Sequence, residues 1–201
     1  MAIHSAAVDA AAGVMRTFPA PWCVAGGWAL DLFLGRQTRA HADVDLAVFR
    51  ADQLALQRHL HAWKLLKVED GRLSPWAPGE RIDLPVHEIH AMRGHGEPAA
   101  LEVLLNERDG ERWVYRRDPA VTLPIARLIV RGDDGVPALC PEVVLLYKCK
   151  APREVDEEDF QRMRPHLGAE RRAWLAAALA TARPGHRWIA DLASGDGERA
   201  R

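Results

Sequence analysis

The chain has 201 residues, of which 48% are hydrophobic and 27% are charged. This is the composition of an ordinary globular protein, and it excludes a chain that is wholly disordered, collagen-like or coiled-coil. Its 27 basic and 28 acidic residues give a formal net charge of -1. No overall electrostatic field therefore steers the protein towards nucleic acid or an anionic membrane, and neither is an expected partner.

The cysteine pattern and the N-terminal segment bear on the cellular compartment. Cys23, Cys140 and Cys149 are widely separated, which indicates reduced thiols and not a disulfide framework. Residues 1–18 lack the basic start of a signal peptide, and Asp9 interrupts their apolar stretch. No apolar run reaches the roughly 18 residues needed to span a bilayer. We therefore expect a cytoplasmic protein.

The first third of the chain is predicted to alternate helices and strands. In chain order, the hydrophobic pattern predicts a helix over 5–16, a strand over 22–25, a helix over 28–34, a strand over 44–49 and a helix over 51–64. The pair Gly26-Gly27 is predicted to form the turn between the first strand and the second helix. Gly35 is predicted to end that helix in the left-handed conformation.

A meander of short strands is predicted next, followed by helices. Asp70-Gly71 indicates a hairpin between strands over 65–69 and 72–74. Further strands are predicted over 86–92, 101–105 and 113–116, and helices over 143–150, 156–164, 170–182 and 186–193, with a frayed tail from residue 194. The predicted class is α+β: a small mixed β-sheet core over 1–140 with flanking helices, and a helical region over 141–201.

Two aspartates at the start of the predicted strand over 44–49 suggest a metal site. Residues two apart on a strand share a face, so Asp43 and Asp45 would lie side by side with Cα atoms roughly 6–7 Å apart. Carboxylates placed in this way suit Mg²⁺, which completes its coordination with water and substrate phosphate. The Gly26-Gly27 turn exposes backbone N–H groups at a helix start and is typical of an anion site. Arg39 and His41 would add positive charge and donors to the same cleft.

The stretch GGWALDLFLGRQTRAHADVDL, residues 26–46, resembles a known signature. It is similar to that of the DNA polymerase β nucleotidyltransferase superfamily, and more narrowly to the aminoglycoside and lincosamide nucleotidyltransferases. The resemblance is specific over about residues 22–49. It implies that Asp43 and Asp45 bind the Mg²⁺ ions that hold a nucleoside triphosphate, and that Gly26 and Gly27 bind phosphate.

The resemblance also implies a third carboxylate on a neighbouring strand, as a metal ligand or as the base. Glu102 is our choice because it is a single acidic residue within the apolar run over 101–105, where burial is costly without a partner. Glu107 and Asp83 are the alternatives. The branch commonly has Asp at this position.

Several further residues have a functional and a structural interpretation. Lys148 either points at the triphosphate or is a solvated lysine. Arg153, Asp156 and Asp159 are predicted to form a structural ion-pair network. Three histidines, His87, His90 and His95, are predicted to be strand and loop residues and not zinc ligands. Trp76 belongs to the core or lines a cleft.

The resemblance predicts a Mg²⁺-dependent nucleotidyltransferase, with two Mg²⁺ ions and ATP or another nucleoside triphosphate as donor. It would move AMP or another nucleoside monophosphate onto a hydroxyl of a small molecule and release pyrophosphate. An aminoglycoside-like antibiotic is one candidate acceptor, for which acidic residues are available at Glu80, Asp83, Glu88 and 156–159. The alternatives are a toxin-like enzyme acting on tRNA or protein, with Arg112, Arg116 and Arg117 as its basic residues, or an inactive nucleotide-binding module. The oligomeric state is left open.

Overall fold

The computed structural model describes residues 5–132 and 135–194. Over the first half of these residues the elements are α1 (Ala6–Met15), β1 (Trp22–Val24), α2 (Gly26–Leu34), β2 (Asp45–Phe49), a 3₁₀ turn (Arg50–Asp52), α3 (Gln53–His59), β3 (Lys64–Glu69), β4 (Arg72–Pro75) and β5 (Glu88–Met92). The remaining elements are β6 (Ala100–Asp109), β7 (Arg112–Val114), β8 (Thr122–Pro124), α4 (Ile125–Leu128), β9 (Ile129–Arg131), β10 (Pro137–Leu139), α5 (Pro141–Lys148), α6 (Glu154–Met163), a 3₁₀ turn (Arg164–His166), α7 (Ala169–Ala182) and α8 (Trp188–Ala193). The predicted tail beyond Ser194 lies outside the described residues.

A mixed sheet forms the centre of the fold. Its strands lie in the order β4-β3-β5-β6-β2-β1-β10-β9, and β7 and β8 extend from the end of β6. The pairs β2–β6 and β1–β10 are parallel, whereas the other pairs are antiparallel. This architecture confirms the predicted α+β class.

The central strands are apolar on both faces, which is why they are covered by other elements on both sides. On β2, Leu46 and Val48 are buried on one face and Ala47 and Phe49 on the other, each at most 5% exposed. Burying the larger of these side chains stabilises the fold by roughly 1.5–3 kcal/mol each. In the middle of the chain β5, β6 and β7 pair consecutively as in the predicted meander, but β5 pairs with β3 and not with β4, its neighbour along the chain.

The structure corrects several predicted boundaries. Strand β2 begins at Asp45, so Asp43 lies in the loop before the strand and not on it. Helix α2 begins at Gly26, so the two glycines are its first residues and not a separate turn. The predicted helix over 51–64 ends at His59, because Lys64 already pairs with Met92 of β5.

The segment between residues 117 and 140 was not assigned from sequence. It contains β8, α4, β9 and β10, each three or four residues long, which is too short for a hydrophobic period to be recognised. Within it, β10 pairs in parallel with β1, with Val24 opposite Ala138. The start of α5 is thereby placed beside the start of α2.

The three cysteines are free and buried, as predicted. Burial raises the pKa of Cys23 to about 12, so its thiol stays protonated at neutral pH. No helix in residues 5–132 and 135–194 is both long and apolar enough to cross a membrane.

A buried ion pair joins two C-terminal helices. Glu142 of α5 is fully buried, and both of its carboxylate oxygens accept from Nη1 of Arg171 on α7, at 2.8 and 3.0 Å. Arg127 lies farther from the same carboxylate, at 3.8 Å. A buried carboxylate depends on such a partner, since an isolated charge in the core is costly.

We expect Arg171→Ala to lower the free energy of unfolding by about 1–3 kcal/mol, because it leaves Glu142 buried with only the longer Arg127 contact. Urea denaturation followed by circular dichroism measures this loss. Arg72→Ala, an exposed arginine on β4, is the control and should change stability by less than about 0.5 kcal/mol. Equal losses in the two variants would contradict the interpretation.

Candidate functional site

Polar side chains cross three neighbouring strands in one row. Asp45 of β2 lies opposite Glu102 of β6, and Glu102 lies opposite His90 of β5. Directly opposite residues on neighbouring strands point to the same face of a sheet. Glu88, two residues before His90, shares that face. Within an otherwise apolar sheet, these side chains form a single polar patch.

The members of this row lie close enough to share one cation. His90 Nε2 is 2.8 Å from Glu88 Oε1 and 4.0 Å from Glu102 Oε1. One ligand atom from each of Glu88, His90 and Glu102 lies within 4.8 Å of the other two. His90, which we predicted to be an ordinary strand histidine, is therefore part of the acidic patch.

The carboxylates raise one another's pKa values. The pKa of Asp45 rises to about 6, mainly through burial and then through repulsion from Asp43, Glu102 and Glu88. Burial and the charge of Asp43 also raise the pKa of Glu102. Neither Asp43 nor Asp45 has a side-chain hydrogen bond or an ion pair with any residue that the structure describes. Uncompensated carboxylate oxygens are the donor set that Mg²⁺ prefers, so these residues fit the metal that the resemblance implies.

Gly26 brings the start of α2 against Asp45. Its φ is +58°, and a Cβ added at Gly26 would lie 2.0 Å from Asp45 Oδ2. The backbone carbonyl of Asp45 accepts a hydrogen bond from the Ala25 N–H at 2.8 Å. The absence of a side chain at Gly26 is therefore what lets the carboxylate lie at the positive end of the helix.

Gly27 lies against two side chains of the loop before β2. A Cβ at Gly27 would lie 2.4 Å from Arg39 Nη2 and 2.5 Å from the His41 ring. The space beside Gly27 is thus occupied by these two side chains, whereas the prediction left it open to phosphate. Gly26 keeps the predicted position next to the acidic residues.

Polar residues of the motif hold its loop in place. Asp31 is 1% exposed, accepts a hydrogen bond from the Thr38 hydroxyl at 2.5 Å and lies 2.6 Å from His41 Nε2. The His41 ring packs against Trp28, with ring centres 4.4 Å apart and the ring planes tilted by 38°. His41, predicted to supply a donor to the cleft, is instead bound to Asp31.

Two of the predicted phosphate-binding cations are in ion pairs. Arg39 donates two hydrogen bonds to the carboxylate of Asp159, at 3.1 and 3.0 Å. Lys148 Nζ lies 2.5 Å from Asp156 Oδ1 and 3.1 Å from Asp159 Oδ2. Arg153 also contacts Asp156, at 3.1 Å, so an ion-pair network exists as predicted, with Asp159 bound to Arg39 and Lys148.

The network leaves both of its carboxylates ionised. Burial opposes ionisation, but hydrogen bonds from Arg153 and Lys148 lower the pKa of Asp156 to about 2. The pKa of Asp159 is lowered against burial by Arg39 and Lys148. The charges of Arg39 and Lys148 are thus largely balanced within the protein.

A cavity of about 410 Å³ opens beside the acidic row. Its volume is in the range typical of small-molecule sites. Its lining combines acidic and basic groups: Asp45, Glu88 and Asp156, and Arg116, Arg117, Lys148, Lys150 and Arg153. A ligand that carries both a metal-bound anion and further negative charge matches this distribution.

The alternative third carboxylates lie elsewhere. Glu107 Oε1 accepts from Arg50 Nε at 2.7 Å, which gives it a structural partner. Asp83 is exposed and lines a separate cavity. Only Glu102 of the three candidates lies opposite Asp45 in the sheet. Trp76 is 4% exposed and donates its indole N–H to the Glu80 carbonyl, so it belongs to the core.

Residues 8–163 match the sequence profile of the aminoglycoside-2''-adenylyltransferase family. The chain belongs to this family. Its members are nucleotidyltransferases, which confirms the resemblance and the predicted enzyme class. No curated protein matches the chain in sequence.

Three solved structures show the same fold. The solution structure of the antibiotic-resistance factor ANT(2'')-Ia is 21% identical over 86% of this chain and 88% of that one, with a TM-score of 0.57. A crystal structure of ANT(2'')-Ia in complex with adenylyl-2''-tobramycin is 19% identical over 87% and 94%, with a TM-score of 0.55. The lincomycin-bound lincosamide adenylyltransferase LnuA is 16% identical over 82% and 98%, with a TM-score of 0.56.

The raised pKa of Asp45 predicts a pH-dependent stability in the absence of metal. A carboxyl whose folded pKa is about 6, above its ordinary 3.8, destabilises the fold as pH rises through this interval. In EDTA at about pH 7.5 we expect Asp45→Asn to be more stable than the wild type by about 1–3 kcal/mol. Mg²⁺ should stabilise the wild type and not the variant.

Thermal denaturation with EDTA or Mg²⁺, at about pH 4.5 and 7.5, measures both effects. Asp52→Asn, in the 3₁₀ turn after β2, is the control and should respond to Mg²⁺ as the wild type does. A variant at Asp45 that is less stable than the wild type in EDTA at neutral pH would refute this prediction.

Gly26→Ala should displace the Asp45 carboxylate, because the added Cβ overlaps with Oδ2 and the φ of +58° is unfavourable for alanine. We expect a loss of stability of about 1–2 kcal/mol from the backbone conformation and a weaker response of the melting temperature to Mg²⁺. Gly13→Ala, in open space on α1, is the matched control. An unchanged Mg²⁺ response in Gly26→Ala would show that the close contact is not needed.

Proposed function

We propose that the protein transfers AMP from ATP to a hydroxyl of an aminoglycoside and releases pyrophosphate. The observation that supports this most directly is the pair of carboxylates without ion-pair partners in the described residues, Asp43 and Asp45, with Glu102 beside them near the start of α2 in a member of this family. The adjoining cavity has room for a small-molecule ligand.

Asp43 and Asp45 would hold two Mg²⁺ ions with the nucleotide. Bound Mg²⁺ supplies Lewis-acid stabilisation of charge on the phosphate oxygens and the leaving pyrophosphate. Gly26 leaves backbone N–H groups of α2 accessible to phosphate at the positive end of the helix. Gly27 and Arg39 support this helix start through their mutual packing, and Lys148 adds a partly neutralised positive charge to the cavity wall.

Glu102 is proposed as the general base. It lies next to Asp45, and its raised pKa brings it closer to the range in which a carboxylate can accept a proton from a hydroxyl. The proton would pass from the acceptor hydroxyl to a Glu102 carboxylate oxygen as the hydroxyl oxygen attacks the α-phosphate. The alcohol oxygen–phosphorus bond forms, and the bond to the pyrophosphate oxygen breaks.

An aminoglycoside suits the acidic side of the site. Aminoglycosides are polycations; Glu88 lines the cavity, and Glu102 lies on the same face of the sheet, opposite Asp45. Three other acidic candidates are already in ion pairs: Glu80 pairs with Lys67, and Asp156 and Asp159 pair with basic residues. The related structures hold tobramycin and lincomycin groups, so both antibiotic classes belong in the test.

The proposal includes the compartment. Three free, buried cysteines and the use of ATP support a cytoplasmic location. Arg116 and Arg117, considered above as a tRNA-binding stripe with Arg112, line the same cavity as Asp45. This position favours a role in the small-molecule site.

The activity test supplies each nucleoside triphosphate with Mg²⁺ to a panel of aminoglycosides, lincosamides and bulk tRNA, with pyrophosphate release as the readout. We expect release with ATP and an aminoglycoside, and mass spectrometry should find the acceptor heavier by one adenylyl group. Release only with lincosamides or only with tRNA would refute the proposed acceptor. No release with any pair would refute the activity.

Variants separate the proposed roles. Glu102→Gln should lower kcat by about 100-fold or more while the affinity for Mg²⁺–ATP changes little, because it removes the base. Asp45→Asn should abolish Mg²⁺-dependent ATP binding as well as turnover. Glu111→Gln, exposed in the turn after β6, is the charge-matched control. Turnover at the wild-type rate in Glu102→Gln would exclude its role as base.

A further inference from the structure

Arg116 differs from the other basic residues of the cavity lining, because Arg117, Lys148 and Arg153 have polar partners within the protein and Lys150 is exposed. It follows β7, is partly buried and lines the same cavity as Asp45 and Gly26. It forms no hydrogen bond or ion pair with any residue in the described part of the chain. Its guanidinium lies over the Tyr147 ring, 5.1 Å from the ring centre. Arg39 and Lys148, in contrast, are held by Asp156 and Asp159.

The Arg116 guanidinium is partly buried and has no acceptor within the described protein, yet none of its nitrogens is fully buried, so its donors remain accessible from the cavity. Arginine has five N–H donors, and withdrawing them from water without replacement hydrogen bonds costs free energy. Burial, and to a lesser degree the charge of Arg117, lowers the pKa of Arg116. An anion bound in the cavity would remove this cost by accepting hydrogen bonds from the guanidinium.

The surroundings hold Arg116 in position before any ligand binds. Tyr147, on which it stacks, donates its hydroxyl hydrogen to Asn106 Oδ1 at 3.2 Å, and the same oxygen accepts the Trp113 indole N–H at 3.0 Å. Arg117 Nη1 donates to the Tyr147 carbonyl at 2.9 Å. Such fixed contacts reduce the conformational entropy lost on binding.

We propose that Arg116 binds the β- and γ-phosphates of the nucleoside triphosphate and holds the pyrophosphate until it leaves. The inference rests on the proposed function, because it assigns a residue to that substrate. The acidic residues near Gly26 would hold the metal at the reacting α-phosphate. The β- and γ-phosphates therefore need a positively charged side chain elsewhere in the cavity. The planar guanidinium can offer two parallel N–H groups to phosphate oxygens, which a single ammonium cannot do.

Calorimetric titration compares the wild type with Arg116→Gln and Arg116→Lys. The probes are Mg²⁺–ATP, Mg²⁺–tripolyphosphate and adenosine. We expect Arg116→Gln to weaken binding of the two phosphate ligands by roughly tenfold or more, as for the loss of charged hydrogen bonds. Adenosine binding should not change, and Arg116→Lys should recover part of the phosphate affinity. Arg72→Gln is the charge-matched control outside the cavity and should bind all three probes as the wild type does.

A second measurement uses unaltered protein, so it does not depend on a variant that folds. Phenylglyoxal modification of arginines, mapped by peptide mass spectrometry, should show that Mg²⁺–tripolyphosphate protects Arg116 and that adenosine does not. Equal modification with and without tripolyphosphate would overturn the inference. So would an Arg116→Gln variant that loses adenosine and tripolyphosphate affinity equally, since this would place the nucleobase at Arg116.

The two proposals fail in different ways. If the wild type binds no nucleoside triphosphate, the proposed function is wrong, and the assignment of Arg116 falls with it. If the wild type binds Mg²⁺–ATP and the folded Arg116→Gln variant binds it as tightly, only the inference about Arg116 is wrong.

Discussion

The contact between Asp45 and Gly26 constrains the rest of the site. One additional carbon atom on Gly26 would overlap with Asp45 Oδ2, so the carboxylate and the first turn of α2 share a space that only glycine leaves open. The parallel pairing of β2 with β6 then fixes Glu102 beside Asp45. A buried carboxylate is thereby held near a helix start and other acids, an arrangement that costs stability and is reasonable only where a cation compensates it.

The C-terminal helices are tied to this centre by ion pairs. Arg39, in the loop before β2, pairs with Asp159 of α6, and Lys148 of α5 pairs with both Asp156 and Asp159. The loop that carries Asp43 is therefore linked to the helices that form the opposite wall of the cavity. Arg39 also packs against Gly27, so one side chain contacts both α6 and the start of α2.

Sequence reasoning predicted neighbouring side chains best where they lie close together in the sequence. Gly26, Asp43 and Asp45 lie within one short motif, so their chain order alone indicated an anion site beside a metal site. Glu102 was recognised because an acidic residue in an apolar strand needs a partner. Its position opposite Asp45 depends on strand register, which no local pattern gives. The segment from 117 to 140 was not assigned because its strands are three residues long.

The basic residues show why the ion pairing within the site could not be predicted from the sequence. A sequence records that Arg39, Arg116 and Lys148 are positively charged, but it does not record which charges are already balanced by distant acids. Arg39 forms its ion pair with Asp159, which lies 120 positions away along the chain. For Arg116 the decisive fact is the lack of any described acceptor around a partly buried guanidinium.

The division of charge within the cavity follows from these pairings. Lys148 lines the cavity, yet Asp156 and Asp159 accept its hydrogen bonds from the side of α6. Among the described residues, Asp45 has no ion pair with a basic side chain, and Glu88 is paired only with His90. A ligand with several negative charges therefore gains most where a cation is still unpaired, and a polycation gains most beside the unpaired acids. A cavity with both features suits the proposed function, in which a triphosphate reacts with a cationic acceptor bound beside it.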